Sequence, residues 1–247
     1  DLAAMAATPR WFTLSLTLPD VNARWLSEFS RGLAQLANEY DVALVGGDTT
    51  RGTLAISIQA MGTIPANAAL TRAGAKPADL LYVSGSVGDA AAGLACYRQQ
   101  FDDCLNDGVR RYLRDRYLLP SPRVELGVEL RHIASSCIDV SDGLLADSGH
   151  IAQRSGVSII VVADRLPTSD ALLELPLEQR LPLQLSGGDD YELCFTAPPA
   201  RVEQLRAIAE RLGIALTCIG RVESGAGVIC LREDGELFDV LQARLEP

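Results

Sequence analysis

Small residues followed by acidic residues lie at the ends of apolar runs in four places along this chain. They are Asp1 and residues 46–50 (GGDTT), 139–143 (DVSDG) and 187–191 (GGDDY). A fifth stretch, residues 84–89 (SGSVGD), opens a predicted helix. Glycine lets the backbone approach a ligand closely and adopt positive φ angles. Carboxylates gathered at strand ends repel one another, so they need cations or protons between them.

These acidic residues predict a metal site that also binds phosphate. Mg²⁺ takes carboxylate oxygens as ligands and binds substrate phosphates, and amide N–H groups at a helix start bind anions. On this hypothesis the strand before Gly46 ends there and delivers Asp48 to a metal, while the glycines make room for a nucleotide. Each stretch alone also has a plain structural interpretation, because Gly-Gly-Asp is a common turn and Asp a common helix cap. Four such stretches together favour the metal site.

Several familiar catalytic motifs are absent from the sequence. It contains neither a G-x-x-x-x-G-K-[ST] phosphate loop nor a G-x-G-x-x-G dinucleotide fingerprint. The stretch DVSDGLLAD is not a calcium loop, because its glycine is fifth and the closing glutamate is missing. His132 and His150 lie on predicted helices as surface or packing residues, and no Ser-His-Asp set is visible. Asp89 is expected in the first turn of its helix, and Asp147 at the surface or as a cap.

The composition indicates a folded, acidic protein. The chain has 247 residues, 48% of them hydrophobic, which is enough for one large domain or two small ones. Its net charge of −10 disfavours nucleic acid and anionic membranes as partners. Lys76 is the only lysine, so phosphate contacts must use arginine, backbone N–H groups or metal ions. No apolar run reaches the ~18 residues of a membrane span, and the expected location is the cytoplasm, although the chain begins at Asp1 rather than Met.

The cysteines are scattered along the chain without a C-x-x-C pair. They are Cys96, Cys104, Cys137, Cys194, Cys218 and Cys230, and most lie in apolar runs. This pattern predicts small buried core residues rather than a metal or disulfide framework.

Apolar patterning predicts strands and helices that alternate through most of the chain. Strands are expected at residues 11–18, 41–46, 53–64, 79–85, 136–143 (with a loop at its end), 157–163, 191–197, 214–220 and 227–232. Helices are expected at residues 23–40, 88–100, 121–134 (Ser121 as N-cap), 144–156 and 201–213. This alternation favours an α/β or α+β fold. We expect an N-terminal domain over residues 1–65, a linker over 66–78 and a C-terminal α/β domain over 79–247.

Seven stretches of the sequence resemble the thiamine-monophosphate kinase family. They are DLAAMAATP, GGDTTRG, LTRAGAKPAD, VSGSVGDAAAGL, PSPRVELG, IDVSDGLLAD and SGGDDYELCFT, which follow that family's order and cover nearly the whole chain. The family belongs to the superfamily of aminoimidazole ribonucleotide synthetase and selenophosphate synthetase. The resemblance implies a two-domain, synthetase-like α/β (α+β) fold. Its N-terminal domain, a mixed sheet with helices, would form a homodimer, and a C-terminal α/β domain would follow.

The resemblance also implies an activity and its site residues. The implied reaction is direct in-line phosphoryl transfer from ATP to thiamine monophosphate with several Mg²⁺ ions, without a catalytic side chain. The positions that match metal ligands are Asp1, Asp48, Asp139 and Asp142, and those that match ATP contacts are Gly47, Asp48, Arg72 and Ser141. Asp189 matches an acidic position facing the thiamine substrate, and the assignment between Asp189 and Asp190 stays open.

The sequence departs from the family pattern in three places. Relatives carry a further N-terminal segment with acidic metal ligands and a C-terminal tail with an aromatic residue by the thiamine ring, and neither is expected in this chain. Ala6 stands where relatives usually have glycine. Two alternatives remain open: another ATP-dependent enzyme of the superfamily (aminoimidazole ribonucleotide or selenophosphate synthetase), and a non-catalytic nucleotide- or metal-binding scaffold.

Overall fold

The computed structural model of the protein describes residues 1–101 and 104–238. Backbone contacts divide the chain into two compact units. The smaller unit contains residue 2 and residues 7–67, and the larger contains residue 1, residues 3–6 and the chain from residue 68 onward. The segment predicted as a linker, residues 66–78, spans this boundary.

The smaller unit is a three-stranded sheet with one helix. Its central strand β1 (Thr8–Leu18) pairs in parallel with β2 (Ala43–Arg51) and antiparallel with β3 (Ala55–Thr63). Helix α1 (Ala23–Glu39) connects β1 to β2, since parallel neighbours need a crossover connection. The helix begins after Asn22, whose side-chain oxygen accepts the N–H of Trp25 at 3.0 Å.

The glycine pair at residues 46–47 does not end its strand, so the prediction that the strand stops at Gly46 is wrong. β2 continues to Arg51, and Asp48 lies within it, opposite Ser15 of β1. Gly47 has a φ of 147°, and a Cβ there would lie 1.9 Å from the carbonyl oxygen of Leu14. Glycine is thus required by the close approach of β1, next to a register shift in that strand.

The larger unit is built on a six-stranded sheet in the order β5-β7-β4-β8-β6-β9. Its strands are β4 (Leu80–Ser84), β5 (Ser136–Asp139), β6 (Ser158–Val162), β7 (Leu193–Ala197), β8 (Leu216–Glu223) and β9 (Gly227–Leu231). Its helices are α2 (Asp89–Tyr97), α3 (Asp107–Leu118), α4 (Val124–Glu129), α5 (Leu144–Ser155), α6 (Asp170–Leu173), α7 (Leu177–Ser186) and α8 (Val202–Leu212). Together with the smaller unit, these elements confirm the predicted mixed α/β fold class.

The main core of the larger unit joins strands of the sheet to α5 and α7. Leu81 of β4 and Ile159 of β6 belong to one buried cluster with Ile151 of α5 and Leu185 of α7. All four side chains are fully buried, and burying each contributes about 1.5–3 kcal/mol. The core therefore fixes both ends of α5, the helix that follows the acidic DVSDG stretch.

The helix predicted over residues 121–134 is much shorter in the structure. α4 begins after Arg123 without a side-chain cap and ends at Glu129, so the prediction of Ser121 as N-cap is wrong. His132 lies beyond it in a turn with a φ of 61°, whereas His150 is helical as predicted. Gly127 lets α4 pack closely, because a Cβ there would lie 2.1 Å from the carbonyl oxygen of Ala3.

Four of the six cysteines are buried core residues, as predicted: Cys96, Cys137, Cys194 and Cys230. Cys104 is exposed and Cys218 is half-buried, and none of the six forms a disulfide. In the part of the chain that the structure describes, no helix is long and apolar enough to cross a membrane.

Candidate active site

The DVSDG stretch forms a loop between β5 and α5 that carries three of the predicted site residues. Asp139 ends β5 and is half-buried, while Asp142 is exposed. The backbone nitrogen of Asp1 lies 3.9 Å from Oδ1 of Asp139. The structure thus brings the start of the chain to this loop, as the prediction of shared metal ligands requires.

The loop is held from within by Asp147, in the first turn of α5. Its Oδ2 accepts the N–H groups of Ser141, Asp142 and Gly143 at 2.9, 3.0 and 3.1 Å. The side chain is buried, with a residue exposure of 2%, so the predicted surface position is wrong. Its bonds go to the loop amides before α5, and α5 itself has no side-chain cap. Burial raises the pKa of Asp147, against the N–H donors of Asp142 and Ser141 that lower it.

A second loop, residues 187–191, is bonded to the first through its backbone. The N–H of Asp189 donates to the Ser141 carbonyl at 3.0 Å, and that of Tyr191 donates to the Val140 carbonyl at 2.9 Å. Gly188 is required here, because a Cβ would lie 2.1 Å from the Ser141 oxygen. The two predicted acidic stretches therefore form one edge of the larger unit.

The acidic residues of this edge share one electrostatic environment. The pKa of Tyr191 is raised first by burial and then by the negative charges of Asp189, Asp139 and Asp142. Its hydroxyl donates to Oδ1 of Asp189 at 3.1 Å. Within residues 1–101 and 104–238, no lysine or arginine forms a salt bridge with Asp142 or Asp189. The edge can therefore attract cations.

Asp189 and Asp190 point to different surroundings. Asp189 is half-buried with a φ of 67°. Asp190 is buried, with an exposure of 2%, and its carboxylate accepts the N–H groups of Gly88 and Ala90 at 2.6 and 3.0 Å. It thereby caps the start of α2, and burial raises its pKa to about 7. Of the pair, Asp189 is the less buried residue.

Carboxyl groups of the protein itself accept backbone amides beside both helices of this edge. Asp147 takes the loop amides that precede α5, and Asp190 takes those at the start of α2. Free amides at a helix start bind phosphate, but these particular amides already have partners. A phosphate at this edge would therefore need other donors or added cations.

Arg72 lies in an exposed segment that is fastened to the end of α5. Ser155 Oγ accepts the N–H groups of Gly74 and Ala75 at 3.1 and 3.2 Å and donates to the Arg72 carbonyl at 3.3 Å. The sequence analysis did not identify Ser155. Ser155 is the last residue of α5 and belongs to none of the motifs, so nothing in the sequence singled it out.

Asp48 and Gly47 belong to the smaller unit. Asp48 is exposed on β2, and its Oδ1 accepts the N–H of Thr49 at 2.8 Å. Gly47 lies against the β1 backbone at Leu14. Asp48 is thus exposed in mid-strand, as is usual for a charged residue.

A buried ion network beneath the second loop was missed. Glu192, 1% exposed, accepts bonds from Ser84 Oγ at 2.6 Å, Arg116 Nη2 at 3.1 Å and Arg123 Nε at 2.7 Å. Asp89 lies beside it, fully buried, with its Oδ2 3.6 Å from Arg116 Nε. Asp89 does lie in the first turn of α2, as predicted. The signal that could have revealed Glu192 is a glutamate directly before a wholly apolar strand.

Three side chains could also offer ligand atoms to a metal beside the first loop: Asp142, Asp147 and His150. One atom from each lies within 4.8 Å of the others. Asp147 Oδ2, however, already has three N–H donors.

Models of two families match the chain. The AIR synthase related protein, N-terminal domain, matches residues 1–64, and the AIR synthase related protein, C-terminal domain, matches residues 76–231. The fold and its acidic edge thus belong to an AIR synthase related protein. Within this class, thiamine-monophosphate kinase of Escherichia coli (strain K12) is 48% identical over 239 residues, which make up 96% of this chain and 73% of that protein.

Solved structures point to the same relatives. The crystal structure of thiamine-monophosphate kinase from Stenotrophomonas maltophilia K279a matches with a TM-score of 0.90 at 47% identity, covering 96% of this chain and 76% of that one. AaThiL complexed with AMPPCP and TMP matches with a TM-score of 0.80 at 31% identity, covering 100% and 74%. This chain belongs to the thiamine-monophosphate kinase family, which confirms the resemblance seen in its motifs.

Proposed function

We infer that the protein transfers a phosphoryl group from ATP to thiamine monophosphate, giving thiamine diphosphate and ADP. It is thus a phosphotransferase whose acceptor is itself a phosphate group. The observation that carries this inference is the 48% identity to a thiamine-monophosphate kinase over 96% of the chain. A relative at 31% identity has been solved with AMPPCP and TMP, which fits ATP and thiamine monophosphate as the two ligands.

We propose that Mg²⁺ ions bind at the acidic edge, with Asp139 and Asp142 as ligands. The donor set fits, because carboxylate oxygens suit a hard cation and neither Asp142 nor Asp189 forms a salt bridge with an arginine or lysine of the described residues. By family resemblance Asp1 and Asp48 are proposed as further ligands. When bound, Mg²⁺ would neutralise phosphate oxygens and align them for in-line displacement.

The remaining site residues are proposed to bind and orient the two substrates. Ser141 and Arg72, with Gly47 and Asp48 of the smaller unit, are assigned to ATP by family resemblance. Asp189 is assigned to thiamine monophosphate, because Asp190 is engaged at the start of α2. The attacking phosphate oxygen is already ionised at neutral pH, so no general base is required.

We propose that the protein forms a homodimer through the sheet of the smaller unit. Ile58 and Ile56 of β3 pair with Leu14 and Leu16 of β1, so these apolar side chains share one sheet face. Ile56 and Ile58 are 44% and 50% exposed. Ile58→Asp is expected to yield a monomer by light scattering, whereas Ser57→Asp, on the opposite face, is expected to leave the dimer intact. Equal masses for the two variants would contradict this interface.

The cytoplasm is the proposed location. None of the six cysteines, all of which lie in the described residues, forms a disulfide, as is usual where glutathione keeps proteins reduced. ATP is available there as the phosphoryl donor.

The test of the function uses the complete polypeptide with ATP, Mg²⁺ and thiamine monophosphate, and detects thiamine diphosphate by mass. The product should form and should disappear with a chelator. Asp142→Asn should abolish most of the activity without lowering the urea midpoint, whereas Glu203→Gln, an exposed carboxylate on α8, should change neither.

Two other results would redirect the assignment. ATP binding without thiamine diphosphate would indicate a nucleotide-binding scaffold or a different acceptor within the superfamily. Equal loss of folding and activity in Asp142→Asn would argue against a metal-ligand role.

A further inference from the structure

The buried carboxylate of Asp147 stands out because it lies under the loop that carries the proposed ligands, yet faces away from solvent. Only 2% of the residue is exposed. Its Oδ2 accepts three consecutive backbone N–H groups, from Ser141, Asp142 and Gly143, all within 3.1 Å. Hydrogen bonds to an ionised acceptor are roughly twice as strong as neutral ones.

These three amides set the direction of the loop's functional side chains. Fixing the backbone N–H of Ser141 and Asp142 fixes the Cα–Cβ directions from which the Ser141 hydroxyl and Asp142 carboxylate extend. Gly143 permits the turn with a φ of 114°, and its own backbone lies against Ser186. The peptide unit between Ser141 and Asp142 donates its N–H to Asp147, and its carbonyl, that of Ser141, accepts the N–H of Asp189. The Asp147 carboxylate thus supports residues that are proposed to bind the metal, ATP and the phosphoryl acceptor.

We propose that Asp147 is a positioning residue: it holds Asp142 and Ser141 in place for Mg²⁺ and ATP and is not itself a metal ligand. This inference rests on the proposed function of the same loop. The rival role is ligation, because Asp147, Asp142 and His150 can bring ligand atoms together. A carboxylate oxygen has about two lone-pair sites, and three donors already surround Oδ2. Positioning uses the contacts that the structure contains, whereas ligation through Oδ2 would have to compete with them. Ligation through the second oxygen, Oδ1, is the rival that the variants below test.

The experiment compares Asp147→Asn, Asp147→Ala and the control His150→Ala in the complete polypeptide. Asparagine keeps a side-chain oxygen that can accept N–H groups but loses the charge, and alanine loses both. Residues that orient metal ligands typically cost 10–100-fold in metal affinity or activity when mutated. We expect about 100-fold weaker Mn²⁺ binding, measured by electron paramagnetic resonance without nucleotide, for alanine. Asparagine should lose less than about 10-fold, and His150→Ala should bind Mn²⁺ like the wild type.

Two further readouts separate positioning from a general structural role. The Mg²⁺ concentration for half-maximal activity should rise in Asp147→Ala, while that of Asp147→Asn stays near the wild type. Backbone amides 141–143 should lose hydrogen-exchange protection in Asp147→Ala, while amides of β6 keep theirs.

The proposal is overturned if asparagine and His150→Ala weaken Mn²⁺ binding as much as alanine does, since that pattern marks a direct ligand set. It is also overturned if Asp147→Ala folds and binds Mn²⁺ like the wild type. Should the alanine variant fail to fold, the asparagine and histidine variants still decide between the two roles. If the wild type forms no thiamine diphosphate, the proposed function fails, while Mn²⁺ binding and hydrogen exchange still test positioning.

Discussion

Glu192→Gln should test how strongly the buried ion network stabilises the larger unit. The Glu192 carboxylate is 1% exposed and accepts bonds from Ser84, Arg116 and Arg123. Glutamine has nearly the same shape but carries no charge, and its amide group would face two guanidinium groups. The variant therefore leaves two arginines without their main acceptor while adding little volume change.

The expected cost follows from the burial of the partners. Removing one partner of a buried ion pair typically costs 3–5 kcal/mol, because the remaining charge is left uncompensated. The arginine side chains are 14% and 20% exposed, and Arg116 keeps Asp89 as a neighbour. We therefore expect the low end, about 3 kcal/mol, which is roughly a 100-fold change in the unfolding equilibrium.

Urea unfolding followed by far-ultraviolet circular dichroism is the suitable assay. Tryptophan fluorescence would report on the other unit, since Trp11 and Trp25 both lie in it. The matched control is Glu233→Gln, which removes an exposed carboxylate that pairs with Arg165 at 2.8 Å. Exposed pairs contribute little, so its urea midpoint should stay near that of the wild type.

The reasoning would be refuted if Glu192→Gln lowered the urea midpoint no more than Glu233→Gln at an unchanged slope. That result would mean that the cost of removing these charges from water nearly equals their mutual attraction.

Three further predictions concern the loops and their supports. Gly188→Ala places a methyl 2.1 Å from the Ser141 oxygen, so it should cost about 1–3 kcal/mol by overpacking and slow thiamine diphosphate formation; wild-type kinetics would contradict this. Burial raises the pKa of Asp190 to about 7. The folded state therefore binds the carboxyl proton of Asp190 more tightly than the unfolded chain does, and the wild type loses stability as pH rises from about 4 to 7. Asp190→Asn should therefore gain urea stability relative to the wild type across that window, and a pH-independent difference would refute it. Ser155→Ala releases the segment bearing Arg72, so the KM for ATP should rise several-fold with kcat nearly unchanged, and a fall in kcat alone would count against it.

Elements with strong apolar patterns could be predicted from the sequence, and elements defined by contacts could not. β4 and β7 are apolar runs with clear boundaries, and α5 follows a glycine and ends before another. α3 was missed because it is highly charged and only Leu113 is buried. α7 was missed because Pro182 lies inside it, a residue that normally argues against a helix.

The glycine pair in β2 shows why one sequence pattern had two outcomes. Gly-Gly-Asp at residues 187–189 does form a loop, whereas at residues 46–48 it lies within a strand. The difference is the neighbour, because Gly47 makes room for the β1 backbone and Gly188 makes room for the Ser141 carbonyl. Ala6, where the family usually has glycine, has a φ of 60°, a left-handed conformation that glycine adopts more easily than alanine.

The sequence identified the acidic stretches, and the structure places Asp139, Asp142 and Asp189 at one edge of the larger unit, but the sequence did not separate the surroundings of the individual residues. Asp189 and Asp190 are adjacent, but the positive φ of Asp189 turns the chain so that only the second reaches α2. The sequence left Asp147 as either a surface residue or a cap, because charge alone does not reveal which amides a carboxylate will bond.

The buried carboxylates explain why the exposed ones can act together. Asp147 accepts the loop amides before α5, Asp190 accepts amides at the start of α2, and Glu192 accepts bonds from two arginines. These buried carboxyl groups engage donors of the protein close to the edge, whereas Asp139 is half-buried and Asp142 is exposed. Two phosphate-bearing substrates can then gather at this edge only with added cations, which is the physical basis for the proposed Mg²⁺ requirement. It follows that an Asp147 variant should fail first in its response to metal and only then in its affinity for ATP.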